Sequence, residues 1–171
     1  GFALGNHSFS HAKLQALSGA ALQDEIAKTD ALLRHIDKGR SSLFRFPYGA
    51  GSDEGRAIVA EFALRSTMWN IDSLDWSDPI AESIAQRVLA QVDEQKRGII
   101  LFHDIHERSL KALPMVLDQL VAEGYQFAKW NGTRFDVATA PKQAAPVRAD
   151  YRQRFAVIIG IDDYAHWPKL R

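Results

Sequence analysis

Gly98-Ile99-Ile100-Leu101-Phe102-His103-Asp104 is apolar at four successive positions and then stops at a histidine. A strand without polar alternation is buried on both faces, as in a parallel sheet covered by helices. The flanking sequence agrees. Upstream, Ser77-Asp78-Pro79 is a helix start with proline near the first helical position. Ile80, Ile84, Val88 and Val92 then run down one side of that helix, which Gly98 closes. Downstream, Leu110, Leu113, Leu117 and Leu120 form another helix, with Pro114 inside it to kink or delay it. Gly124 stops that helix, and residues 125–130 read as a strand.

Further out the alternation continues. Residues 14–38 carry Leu22, Ile26, Leu33 and Ile36 at helical spacing, with Gly39 as the residue after the helix end. Residues 42–46 are a short strand ended by Pro47 and the loop Gly49-Ala50-Gly51. Ser52-Asp53-Glu54 starts a helix whose inner face is Ile58, Val59, Phe62 and Ala63, and residues 67–71 read as the next strand. Strands and helices taking turns, with apolar strands, specify an α/β fold: a barrel or an open parallel sheet. Residues 138–153 lose periodicity and read as a linker, and an apolar strand at 155–161 follows.

Composition narrows the chemistry. The 171 residues are 46% hydrophobic and 25% charged, with 21 basic and 21 acidic side chains. A net charge of zero gives no global pull toward nucleic acid or anionic lipid. The absence of cysteine excludes thiolate metal sites, cysteine nucleophiles and disulfides within this stretch. No apolar run approaches the roughly 18 residues of a membrane span. The chain starts without an initiator methionine and stops in what reads as mid-loop, so it is expected to be a segment of a longer polypeptide.

Four clusters of polar residues fall at strand ends, where parallel α/β folds assemble their sites. In Gly5-Asn6-His7-Ser8-Phe9-Ser10-His11, two imidazoles four residues apart suit a divalent metal. On spacing alone they are better read as unrelated histidines near a helix start. In Phe44-Arg45-Phe46-Pro47-Tyr48-Gly49, an arginine can orient a carboxylate and the next loop can aim an N–H at an oxyanion. Taken alone, a structural salt bridge and a Pro-Tyr turn account for it better. In Asp72-Ser73-Leu74-Asp75-Trp76, the aspartates are either charge partners or turn formers, and the tryptophan is a wall for a sugar ring. In Leu101-Phe102-His103-Asp104, a histidine ending an apolar strand is placed for proton transfer, or is simply a buried, satisfied side chain. His106 reads as a surface residue.

Taken together and in order, the four clusters resemble the polysaccharide deacetylases, the NodB-homology domain of carbohydrate esterase family 4. That family carries H-[ST]-x-x-H, R-x-P-[YF], D-x-x-D-W and L-x-H on successive strands of a distorted (β/α) barrel. Here they stand as His7 to His11, Arg45 to Tyr48, Asp72 to Trp76, and Leu101 to His103. The resemblance covers roughly residues 1–136. It implies a hydrolase that deacetylates an N-acetylated polysaccharide of chitin or peptidoglycan type, with O-acetyl xylan esters as a related option. It implies a divalent metal held by His7 and His11, with zinc expected and cobalt or nickel compatible. His103 is then the acid for the leaving amine and Asp75 its charge partner. Tyr48 helps to hold the oxyanion through its N–H, Arg45 tethers the base, and Trp76 with Leu101 lodges the acetyl methyl. The resemblance is compatible with a location outside the cytoplasm.

One family element has no counterpart. The motif T-F-D-D, which supplies the base and the third metal ligand, is not matched anywhere in residues 1–171, and Asp162-Asp163 lies at the wrong end of the chain. The segment is therefore expected to be inactive alone. Residues 154–171, with Phe155-Ala156-Val157-Ile158-Ile159-Gly160-Ile161 and then Tyr164 and Pro168, resemble the opening strand of caspase-like domains of peptidase family C14. A final or swapped edge strand of the first domain is the other reading of that stretch. The expected organisation is an incomplete deacetylase-type barrel at 1–137, a linker at 138–153 and the start of a caspase-like domain at 154–171. The alternative function is a non-catalytic carbohydrate-binding or regulatory module fused to a caspase-like domain. Holding His7, His11, Arg45, Asp75 and His103 together has little purpose in a mere binder, which favours the enzyme.

Overall fold

The computed structural model describes residues 3–36 and 42–137, together with the backbone of 155–160. The fold is α/β and divides into two units, Gly1–Met68 with Gly132–Arg134, and Trp69–Asn131 with Phe135–Arg171.

The first unit holds a 3-10 turn Leu14–Ala16, α1 Gly19–Ile36, β1 Leu43–Phe44, a 3-10 turn Pro47–Gly49, α2 Asp53–Glu61 and β2 Arg65–Ser66. β1 and β2 are parallel, and Asn6 bridges in parallel to Phe44. The core is Leu14, Leu22, Ile26, Phe44, Phe46, Ile58, Val59 and Leu64. The helix expected from residue 14 starts at Gly19, because a separate turn occupies 14–16 and Leu17 is extended. Ile36 is exposed, and Gly39 lies outside the described residues. α2 begins as the sequence indicates, with Ser52 Oγ accepting from the Gly55 N–H at 3.1 Å.

The second unit holds β3 Ile71–Asp72, α3 Ala81–Gln95, β4 Arg97–Phe102, α4 Glu107–Ala122, β5 Gln126–Trp130, β6 Phe135–Val137 and β7 Phe155–Gly160. The sheet order is β3-β4-β7-β5-β6. It is parallel apart from the β5–β6 pair. Ile71, Ile84, Val88, Val92, Ile100, Phe102, Val116 and Leu120 lead its core.

Several expectations change here. The single strand expected at 67–71 becomes two short ones, β2 and β3, with the boundary between the units falling after Met68. Gly98 does not end a helix; Lys96, in the left-handed region at φ 61°, caps α3, and Gly98 lies inside β4. Ile80 and Leu110 are 56% and 58% exposed. The buried face of α4 is instead Ser109, Ala112, Val116 and Leu120, offset from the leucine stripe. α4 runs through Pro114, which faces solvent. β6 carries no periodicity that three residues could display.

The strand expected at 155–161 is present as β7, paired with β4 on one side and β5 on the other. The linker at 138–153 and the remainder of the caspase-like stretch, Asp162, Asp163 and His166 included, lie outside the described residues.

Candidate active site

The His7 to His11 turn is built on a buried asparagine. Asn6 is 1% exposed; its Nδ2 donates to the Ile26 carbonyl at 3.0 Å, and its Oδ1 accepts from the Ser8 N–H at 3.0 Å. Its backbone is clamped on both sides, with the N–H on the Leu43 carbonyl and the carbonyl on the Arg45 N–H. Ser8 Oγ accepts from the His11 N–H at 3.1 Å. From α1, Glu25 accepts the Phe9 N–H, the Ser10 N–H and the Ser10 hydroxyl. These bonds hold Ser8 and His11 at φ 70° and 57°, a region costly for residues with a Cβ.

This turn brings His7 and His11 together, their rings T-shaped with centroids 5.0 Å apart. His7 Nδ1–H donates to the Arg45 carbonyl at 2.7 Å, and Nε2 accepts from Arg45 Nη2 at 3.3 Å. The carbonyl fixes the tautomer in which Nε2 carries the lone pair, the arrangement metal-bound histidines use. Tyr48 packs its ring on His11 at 4.7 Å and sits at φ 57°. Gly49 donates the first hydrogen bond of the turn at 47–49, so the Tyr48 N–H precedes that ladder. The two imidazoles fit part of a metal site. Among the described residues, no three His, Cys, Asp or Glu side chains come together to hold an ion.

In the second unit, Asp75 and His103 meet directly. Asp75 is fully buried and His103 is 7% exposed. His103 Nδ1–H donates to Asp75 Oδ1 at 2.5 Å, and the His103 N–H donates to Oδ2 at 2.7 Å. Ser109, from the first turn of α4, gives its hydroxyl to Oδ2 at 2.5 Å. Burial raises the carboxyl pKa, but the bonds from the His103 ring, Ser109 and the His103 backbone outweigh it, bringing it to about 2. Asp75 is therefore an anion at neutral pH, and His103 Nδ1 is committed to it. Leu74 between the two aspartates is at φ 53°. Asp72 behaves differently from Asp75: its Oδ1 accepts the Leu74 N–H and its Oδ2 the Trp69 indole N–H, as a turn former does. Trp76 is 59% exposed, whereas Leu101 is buried within β4.

Among the described residues, six other than glycine have positive φ. Ala63 and Lys96 follow helix ends, and the other four, Ser8, His11, Tyr48 and Leu74, all lie in the quoted motifs. Among the described residues, strain beyond helix caps is thus confined to the motifs, the distribution expected where backbone geometry serves a site.

The sequence did not single out four supporting side chains. Asn6 and Glu25 hold the histidine turn, while Ser109 and Arg108 hold the aspartate. Arg108 donates through Nε to the Asp75 carbonyl and through Nη2 to the Trp76 carbonyl at 3.1 Å. Asn6 and Ser109 look unremarkable in one dimension; a polar residue on a helix face otherwise apolar at 112, 116 and 120 was the available signal for Ser109.

The family model for polysaccharide deacetylases matches residues 1–67. A solved polysaccharide deacetylase from Bacillus cereus is 30% identical, with a TM-score of 0.68, over 81% of this chain and 72% of that one. The chain belongs to the polysaccharide deacetylase family. This deacetylase-family chain is 37% identical over 106 residues to the chitooligosaccharide deacetylase of Azorhizobium caulinodans, covering 61% of the chain and 49% of that protein. It is 33% identical over 123 residues to the peptidoglycan-N-acetylmuramic acid deacetylase PdaC of Bacillus subtilis, covering 72% and 25%. It spans from a quarter to about half the length of these curated relatives. Among the described residues, no helix is long and apolar enough to cross a membrane.

Proposed function

We propose that this chain carries the imidazole pair and the general acid of a metal-dependent hydrolase that deacetylates an N-acetylated polysaccharide of chitin or peptidoglycan type. The observation that carries the reading is the buried Asp75–His103 pair, with the anion fixed on Nδ1 and the proton transfer assigned to Nε2. A divalent ion, zinc with cobalt or nickel as substitutes, polarises a carbonyl oxygen and lowers the pKa of bound water when it is present. His7 and His11 hold it. His103 protonates the leaving amine, which departs poorly as an anion, and Asp75 balances the imidazolium. The Tyr48 N–H donates to the oxyanion. Arg45 orients the base carboxylate, and Trp76 with Leu101 bounds the acetyl methyl. Base and third ligand belong to the T-F-D-D motif, which these residues do not contain.

The test compares this chain with a version extended upstream by a strand bearing that motif. The extended version should bind zinc or cobalt at least about tenfold more tightly and release acetate from chitin oligosaccharides or peptidoglycan. Tight binding and turnover by the short chain, or no acetate from the extended one, overturns the reading.

We also propose, from sequence resemblance, that residues 154–171 open a caspase-like domain. An apolar strand with two open edges takes up parallel neighbours, and β4 and β5 supply them here.

A further inference from the structure

We propose that Ser109 is a positioning residue for His103, acting through Asp75. The carboxylate has two oxygens and three donors, and their division matters. Oδ1 takes only the imidazole among these three, whereas Oδ2 takes both the His103 N–H and the Ser109 hydroxyl. The two donors on Oδ2 fix the rotation of the carboxylate about its Cβ–Cγ bond and so aim Oδ1 at Nδ1. The backbone donor is shared with the residue being aimed, so Ser109 is the anchor from a separate element. Its environment agrees: a serine in the first turn of a helix ordinarily faces solvent, yet Ser109 is 3% exposed and aligned with the apolar residues Ala112, Val116 and Leu120.

The arrangement is not a nucleophilic triad. Ser109 bonds the carboxylate rather than the imidazole, and does so on Oδ2, the oxygen that does not take Nδ1. Arg108, the neighbouring residue on α4, fixes the Asp75 and Trp76 carbonyls, so one helical turn secures both backbone and side chain of the D-x-x-D-W motif. Among the described residues, the titratable and charged groups facing Asp75 are His103 at the end of β4 and Arg108 on α4.

The inference rests on His103 being the proton donor, but its test needs no turnover. Carboxyl-carbon and imidazole NMR on the 171-residue chain follow the titration of Asp75 and the exchange of the His103 Nδ1 proton. Ser109→Ala should strengthen proton binding at Asp75 about tenfold and speed Nδ1 proton exchange by a similar factor. Ser109→Thr, which keeps the hydroxyl, should restore both. Should the alanine variant not fold, Ser109→Cys, of similar volume and a weaker donor, is read in the same way. If both signals stay unchanged, even with a lowered melting temperature, Ser109 merely fills space and the proposal is overturned; failure of Thr to restore them overturns it too. Loss of these couplings would leave the deacetylase reading to its own acetate assay, and the reverse holds.

Discussion

Asp75 ties stability to pH in a direction that can be worked out. Its folded pKa of about 2 lies below the ordinary 3.8, so folding favours the ionised form. The stabilisation, about 2 kcal/mol, is complete above about pH 4 and is lost as pH falls through about 2. Chemical denaturation at pH 5 and near pH 2 should show that loss, and Asp75→Asn should remove most of the slope while lowering stability at neutral pH. Asp78, also held at about 2 by Arg87 and Ser83, leaves a residual slope. A wild-type slope unchanged in the asparagine variant would contradict the geometry around Oδ1 and Oδ2. At this scale the sequence pointed to candidate residues that the structure pairs, His7 with His11 and Asp75 with His103, and passed over their supports. Histidines and aspartates in ordered motifs declare themselves, but Asn6, Glu25, Arg108 and Ser109 act through contacts made across 20, 15, 33 and 34 positions in the chain.

The elements explain why those contacts form where they do. β4 must pass close to Asn70 and Ile71 before it delivers His103. A Cβ on Gly98 would meet Ile71 Cδ1 at 2.6 Å and Asn70 Oδ1 at 2.7 Å. Neither can retreat freely, since Ile71 is fully buried and Asn70 Oδ1 accepts the Ile99 N–H at 2.8 Å. Gly98→Ala should cost about 1–3 kcal/mol in denaturant unfolding through this close approach, and an unchanged stability would contradict it. Ser52→Ala should cost about 1 kcal/mol through the lost cap on α2. Helix existence was legible because apolar spacing reports it directly. Faces were less legible: Ile80 stands outside α3 as its N-cap residue, and the leucine stripe of α4 is offset from the buried face, so that Leu110 meets solvent where its neighbour Ser109 meets the core. Strands of two residues, such as β1, β2 and β3, are too short for any periodicity and depend on their partners.

For the whole molecule, alternating elements gave the α/β class, but the order β3-β4-β7-β5-β6 could not be read from one chain, because pairing is non-local. Deleting 141–171 removes β7, which pairs with β4 and β5; on the proposal that 154–171 open a second domain, the remaining chain keeps cooperative melting and gains solubility with the apolar strand gone, and loss of cooperative unfolding would contradict that proposal. In the proposed function His103 is the proton donor of a metal-dependent deacetylation. The most direct measurement is acetate release by the strand-extended, metal-loaded protein beside its His103→Ala variant, with bound metal quantified in the same samples. The variant should keep its metal and lose about 10²–10⁴ in kcat; full turnover without His103 would contradict the account.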